Sequence, residues 1–202
     1  MNEKKEQPKL FVKGHVLITD ITDPDNVETV LDKSNAIHSE NFSLSIANSL
    51  AANVDTLGTN IGAISSMRFG NGGTVVLSTG RVTYRTPRVT SFGGLYSETY
   101  AKQINANVSS GVDSEYNNVN TVHIPGQVYT DIICLCTLGL GEPQDQNVSS
   151  TTDMNGTYVF DELGLYTNGS NGLALSHIIF HPVEKSANRI LQIKYTVRIQ
   201  LQ

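Results

Sequence analysis

The chain contains no tryptophan and two cysteines, and only 16 % of its 202 residues are charged. Each shortage excludes something. A small scaffold held by disulfides needs more thiols than these. A coiled coil or long surface helix needs far more Glu, Lys and Arg. No run approaches the roughly 20 apolar residues of a membrane helix, so no membrane contact is expected. The net charge of −5 argues against a dedicated nucleic-acid binder, whose footprint is basic. A secretory signal is not expected either, because Lys13 and Gly14 interrupt the first apolar stretch. The sequons at Asn41, Asn107, Asn147, Asn155 and Asn168 then read as chance products of an Asn/Ser/Thr-rich chain.

What replaces charge is Asn, Ser, Thr and 17 Gly, a mixture that favours short strands joined by tight turns. The length suits one domain, which at this size buries roughly 70 % of its extended-chain surface. Residues 1–9 read as a flexible N-terminal arm and residues 10–202 as a single β-sandwich domain. Residues 10–32 form a hairpin around Asp23-Pro24-Asp25-Asn26. Phe42, Ile46, Ala47, Leu50 and Ala51 recur at helical spacing, which predicts one amphipathic helix over 40–52 with Ser39 as its N-cap. Residues 91–120 and 141–157 read as long polar loops. The strand QVYTDIICLCTLGL lies between them. Residues 158–183 read as two strands around the Asn168–Gly172 turn.

The last segment, ILQIKYTVRIQLQ, alternates almost without error. Leu191, Ile193, Tyr195, Val197, Ile199 and Leu201 face one way, and Gln192, Lys194, Thr196, Arg198 and Gln200 the other, as in a half-buried antiparallel strand. With no βαβ alternation, the fold class is mainly β, an antiparallel sandwich of jelly-roll kind.

The candidate chemistry is thin. His177 and His181 have H-x-x-x-H spacing, but on a strand ended by Pro182 their Cα atoms lie roughly 13 Å apart, too far to share an ion. Phe69 to Thr74, FGNGGT, lacks the Lys-Ser/Thr ending of a phosphate loop and reads as a hairpin turn. Asp161 and Glu162 are consecutive strand residues. They should point to opposite faces and serve at a surface or interface rather than as an acid–base pair. Cys134 and Cys136 share a strand face, where a bridge is geometrically poor; they read as small buried apolar groups. No catalytic, cofactor-binding or metal residues are expected. Arg81 and Arg85 share a face if their strand is regular, with Arg88 close by, and suit an acidic neighbour. Tyr96, Tyr100 and Tyr116, scattered in a polar segment, suit interface anchoring.

Two stretches carry a family likeness: LDKSNAIHSENFSLSIANSLA followed by ISSMRFGNGGT, and YVFDELGLYTNGSNGLALSHIIFHPVEKSANRILQIKYTVRIQL. Residues 31–74 and 158–201 thereby resemble structural proteins of tailed-bacteriophage virions, whose tail, baseplate and fibre-attachment modules contain similar strand pairs. The resemblance implies a non-enzymatic virion component of the neck, collar or tail, assembled in the host cytoplasm. Its partners would be copies of itself and other virion proteins. Helix 40–52 and the two polar loops would make the contacts. A capsid decoration or head-fibre base protein is the neighbouring alternative, and a carbohydrate-binding adhesin module is the alternative of a different class.

Overall fold

The computed structural model describes residues 9–90, 93–143, 158–168 and 172–201. Nearly all of the expected arm, and the 141–157 loop beyond Pro143, fall outside these residues. In chain order the elements are β1 (Leu10–Asp20), β2 (Glu28–Ile37), α1 (Ser39–Leu50), β3 (Ile64–Gly70), β4 (Thr74–Val76), β5 (Val82–Tyr84) and β6 (Glu98–Gln103). They continue with β7 (Asn118–His123), β8 (Tyr129–Leu138), β9 (Tyr158–Thr167), β10 (Ser176–Lys185) and β11 (Leu191–Leu201).

Nine strands form one curled antiparallel sheet in the order β6-β3-β9-β10-β2-β1-β11-β8-β7, and β4 pairs only with β5. The sheet is continuous by a narrow seam. β10 and β2 share just two residue pairs, Ser176 with Ile37 and His177 with Ala36. Beyond the seam the strands diverge, and Lys33 Nζ of β2 donates to the Ile179 carbonyl at 2.7 Å. Either side of this seam the sheet behaves as two layers, β6-β3-β9-β10 and β2-β1-β11-β8-β7. Their inner faces meet in one apolar core, which makes the fold sandwich-like. Phe69, Phe160 and Phe180 come from the first layer, with edge-on ring pairs at 5.3 and 5.7 Å. Val16, Ile18, Ile193, Tyr195 and Val197 come from the second.

The sequence pattern explains the second layer well. β11 lies at its centre, paired with β1 on one side and β8 on the other. Its Leu191, Ile193, Tyr195 and Val197 are all buried. In β1 the inward row Val12, Val16, Ile18 is interrupted by Gly14. A Cβ there would meet Asn35 Oδ1 at 1.6 Å, so only glycine lets the Asn35 side chain cross. Cys134 and Cys136 are free and fully buried on one face of β8. Burial pushes both thiols up, that of Cys136 to about 12.

Three expectations change. The helix begins at Ser39 and is capped by the fully buried His38, whose Nδ1 accepts the Asn41 N–H at 3.2 Å. Its inward face is Phe42, Ser45 and Ile46, whereas Ala47, Leu50 and Ala51 are exposed. Ser45 turns inward because its hydroxyl donates to the Gly62 carbonyl at 2.5 Å. Second, the polar segment 91–120 contains β6 and the start of β7, the two edge strands of the sheet. Edge strands border solvent on one side, so a polar sequence is what they require. Third, Pro182 does not end its strand. It lies in the register break of β10 between Ile179 and Val183, where no ladder N–H is needed.

One prediction tests the placement of β11. Val197 is 1 % exposed, so Val197→Asp buries an unpaired charge and should cost about 3–5 kcal/mol. Thermal unfolding should show a melting point lower by roughly 6–20 °C. An unchanged melting temperature would exclude the placement.

Candidate functional site

Asp161 and Glu162 are adjacent acids whose carboxylates are both tied into the fold by hydrogen bonds. They are 3 % and 0 % exposed, so the surface role expected for them is not what the structure shows. The core-facing positions of β9 run Tyr158, Phe160, then Leu163 and Leu165. The two-residue alternation therefore slips at Asp161–Glu162, opposite the register break in β10. This slip is a bulge, which re-aims side chains. It brings both carboxylates to one loop instead of opposite faces. Asp161 Oδ1 accepts the Gly73 N–H, and Oδ2 accepts the Thr74 N–H, each at 2.8 Å, with the Thr74 hydroxyl as a third donor. Glu162 Oε1 accepts the Gly72 N–H at 3.2 Å.

The glycine run Gly70–Gly73 is thus no hairpin between β3 and β4, which never pair with each other. It is an anion-binding loop whose anions belong to the same chain. Its glycines are needed for close approach. A Cβ on Gly73 would lie 2.9 Å from Ile179 Cγ2 and 3.1 Å from Asp161.

Glu162 also fastens a second segment. The chain between β5 and β6 crosses the outer side of β9, where Oε2 accepts the Tyr96 N–H at 2.9 Å and Oε1 the Ser97 N–H at 2.8 Å. The fourth donor is His177 Nε2 at 2.8 Å. On the other side of that ring, Nδ1 accepts the Arg88 N–H at 2.8 Å. Nδ1 therefore carries no proton, and the imidazole proton sits on Nε2 facing the carboxylate. Burial pushes the Glu162 carboxyl up, but the hydrogen bonds from His177, Tyr96 and Ser97 outweigh it and hold the group below its ordinary value. Both ring nitrogens of His177 and both oxygens of Glu162 are occupied. The pair is arranged to tie loops to the sheet, and it leaves no free lone pair or proton for a substrate. His181, by contrast, is exposed, with Tyr84 Oη 3.5 Å from its Nδ1. Among the described residues no group of three His, Cys, Asp or Glu is placed to hold a metal.

The residues expected at interfaces divide into two places. Tyr96 lies on the strap over Glu162, with Arg88 Cζ 3.9 Å and Arg85 Cζ 4.8 Å from its ring centroid. Its hydroxyl donates to the Thr86 carbonyl at 2.9 Å. Tyr96 is therefore half-buried and already engaged. Arg81 and Arg85 flank β5, which is only three residues long, so they do not share a regular strand face. Both are exposed.

Tyr100 and Tyr116 lie elsewhere, together lining a cleft of about 680 Å³ beside β6. Lys102 and Glu142 line the same cleft. Lys102 Nζ reaches across to the Thr137 carbonyl at 2.7 Å and to Glu142 Oε2 at 2.5 Å, latching edge strand β6 to β8. Lys185, 1 % exposed, donates to the Gly139 carbonyl at 2.8 Å beside this latch. Burial lowers its pKa more than Glu142 restores it. Tyr100 is held up at about 12 by burial and by Glu142.

Comparison with protein families, with curated proteins and with solved structures gives no match.

The role of Glu162 is testable. Glu162→Gln replaces an acceptor with an amide that turns N–H groups toward N–H groups, and should cost about 2–3 kcal/mol. A carboxyl held low in the fold stabilises above its unfolded pKa and loses that contribution as the pH falls through its folded value. Below about pH 4.3, the wild type should therefore lose stability more steeply than the Gln variant in urea titrations. Parallel pH profiles would assign the acid sensitivity to other groups.

Proposed function

We propose that the chain is a non-enzymatic structural component of a tailed-phage virion, in the neck, collar or tail. It acts there in multiple copies through interface complementarity. The observation that carries this reading is an apolar end of the sandwich left open to solvent. Leu10, Phe11, Ile124, Val128 and Leu201 are 40–62 % exposed. They gather at one end of the sheet, because Leu10 pairs with Leu201, the Leu201 N–H donates to the Val128 carbonyl at 3.1 Å, Phe11 follows Leu10, and Ile124 belongs to the same β7–β8 connection as Val128. An exposed apolar patch of this kind marks an interaction surface. The virion resemblance of residues 31–74 and 158–201 supplies the setting, and the fully engaged Glu162–His177 pair supports a structural rather than catalytic role. A capsid decoration or head-fibre base position uses the same surfaces.

The cleft beside β6 favours a second reading, a glycan-binding adhesin module. Tyr100 and Tyr116 offer ring faces, and Lys102, Asp113, Asn117 and Glu142 offer hydrogen-bonding groups around them. The two readings separate experimentally. Mass spectrometry of purified tailed particles from the source culture should find the chain in fixed stoichiometry, and an antiserum against it should label one region of the particle. A glycan array should remain blank. Absence from particles together with specific glycan binding would reverse the choice.

A further inference from the structure

The β4–β5 hairpin is a second exposed apolar element, and it has a charge. Val75, Val76, Leu77 and Tyr84 are 41–64 % exposed, and between Arg68 and Glu98 the only charged residues are Arg81, Arg85 and Arg88. Among the described residues none of these three forms an ion pair with a carboxylate; Arg85 and Arg88 rest on Tyr96. The hairpin thus presents a hydrophobic tip rimmed by uncompensated guanidinium groups.

The same chain carries the complement. From Asp20 to Asp32 every charged residue is acidic: Asp20, Asp23, Asp25, Glu28 and Asp32. Asp20 is taken by Arg189 and Asp32 by His15. Asp23, Asp25 and Glu28 are exposed and have no ion-pair partner among the described residues, and Val27 between them is 55 % exposed. The β1–β2 turn therefore offers carboxylates around an apolar side chain. Within one molecule the two do not meet. Lys33, over the Tyr84 ring of the hairpin at 5.8 Å, is five residues along β2 from Glu28, roughly 17 Å at strand rise.

We infer that the β4–β5 hairpin docks on the β1–β2 turn of a second copy of this chain. Arg81 and Arg85 face Asp25 and Glu28, and Val75–Leu77 and Tyr84 pack against Val27. The two surfaces differ, so the contact is head-to-tail. It closes as a ring, or as a dimer in which it is made twice. The inference rests on the multi-copy reading above and names the surface that reading needs.

The test uses the full chain and charge reversal. Sedimentation at low salt should show self-association that weakens at least tenfold at about 1 M salt, where screening acts within roughly 3 Å. Arg81→Glu/Arg85→Glu and Asp25→Lys/Glu28→Lys should each be monomeric, with melting temperatures near that of the wild type. Mixed together, the two variants should associate, and the chain carrying all four changes should self-associate again. A wild type that stays monomeric, or association indifferent to either reversal, overturns the contact. So does a four-change variant that stays monomeric. A monomeric chain that is nevertheless present in particles would remove this interface and leave the virion role standing; a self-associating chain absent from particles would do the reverse.

Discussion

A carboxylate removed from water must be compensated, and Glu162 sets the terms on which one layer of this protein is built. Desolvating an anion costs several kcal/mol even after relaxation. The compensation here is four N–H donors, from Gly72, Tyr96, Ser97 and His177. Those donors belong to three separate stretches of chain. The loop after β3, the strap before β6 and the seam strand β10 are held in place because the charge requires them all. Leaving any one unmade strands part of a buried charge. The constraint therefore converts irregular backbone into fixed structure without helices or strands. Asp161 does the same for Gly73 and Thr74.

The two layers are stabilised by different means. The layer containing β11 is an apolar alternation, and its residues say where they go. The layer containing β9 is buried on both faces, one against the core and one under the strap, and it is held by polar bonds as much as by packing. At the far end of the molecule the Lys102–Glu142 pair and the buried Lys185 close the gap between layers. The carboxylate of Glu142 is pushed up by burial and pulled lower by Lys102 and the Gly139 N–H, with the pull prevailing.

This difference decides what could be read from sequence. β11, the β1–β2 hairpin and the buried cysteine pair were legible because a period of two needs only local information. The edge strands β6 and β7 were hidden because solvent on one side permits the same Asn, Ser and Thr that loops use. Asp161–Glu162 was misplaced because strand parity assumes a regular strand, and the bulge that overrides it is fixed by contacts 65 to 90 residues away. A signal was nevertheless present. Glycines at Gly70, Gly72 and Gly73 beside no phosphate-binding lysine suggest close approach to something other than a nucleotide. The helix cap moved by one residue for a similar reason, since a buried His38 ring outcompeted a serine hydroxyl.

β1 lies between β2 and β11, so the first strand of this sheet is completed only by the last. Contacts spanning nearly the whole chain make folding slow, because loop closure must precede the pairing that rewards it. On the ribosome β1 would wait with one edge bare until residue 201 has emerged. The same pairing puts Leu10 directly opposite Leu201. Any polypeptide joined to either end of the domain therefore leaves from one side, and the opposite end of the sandwich stays clear of both.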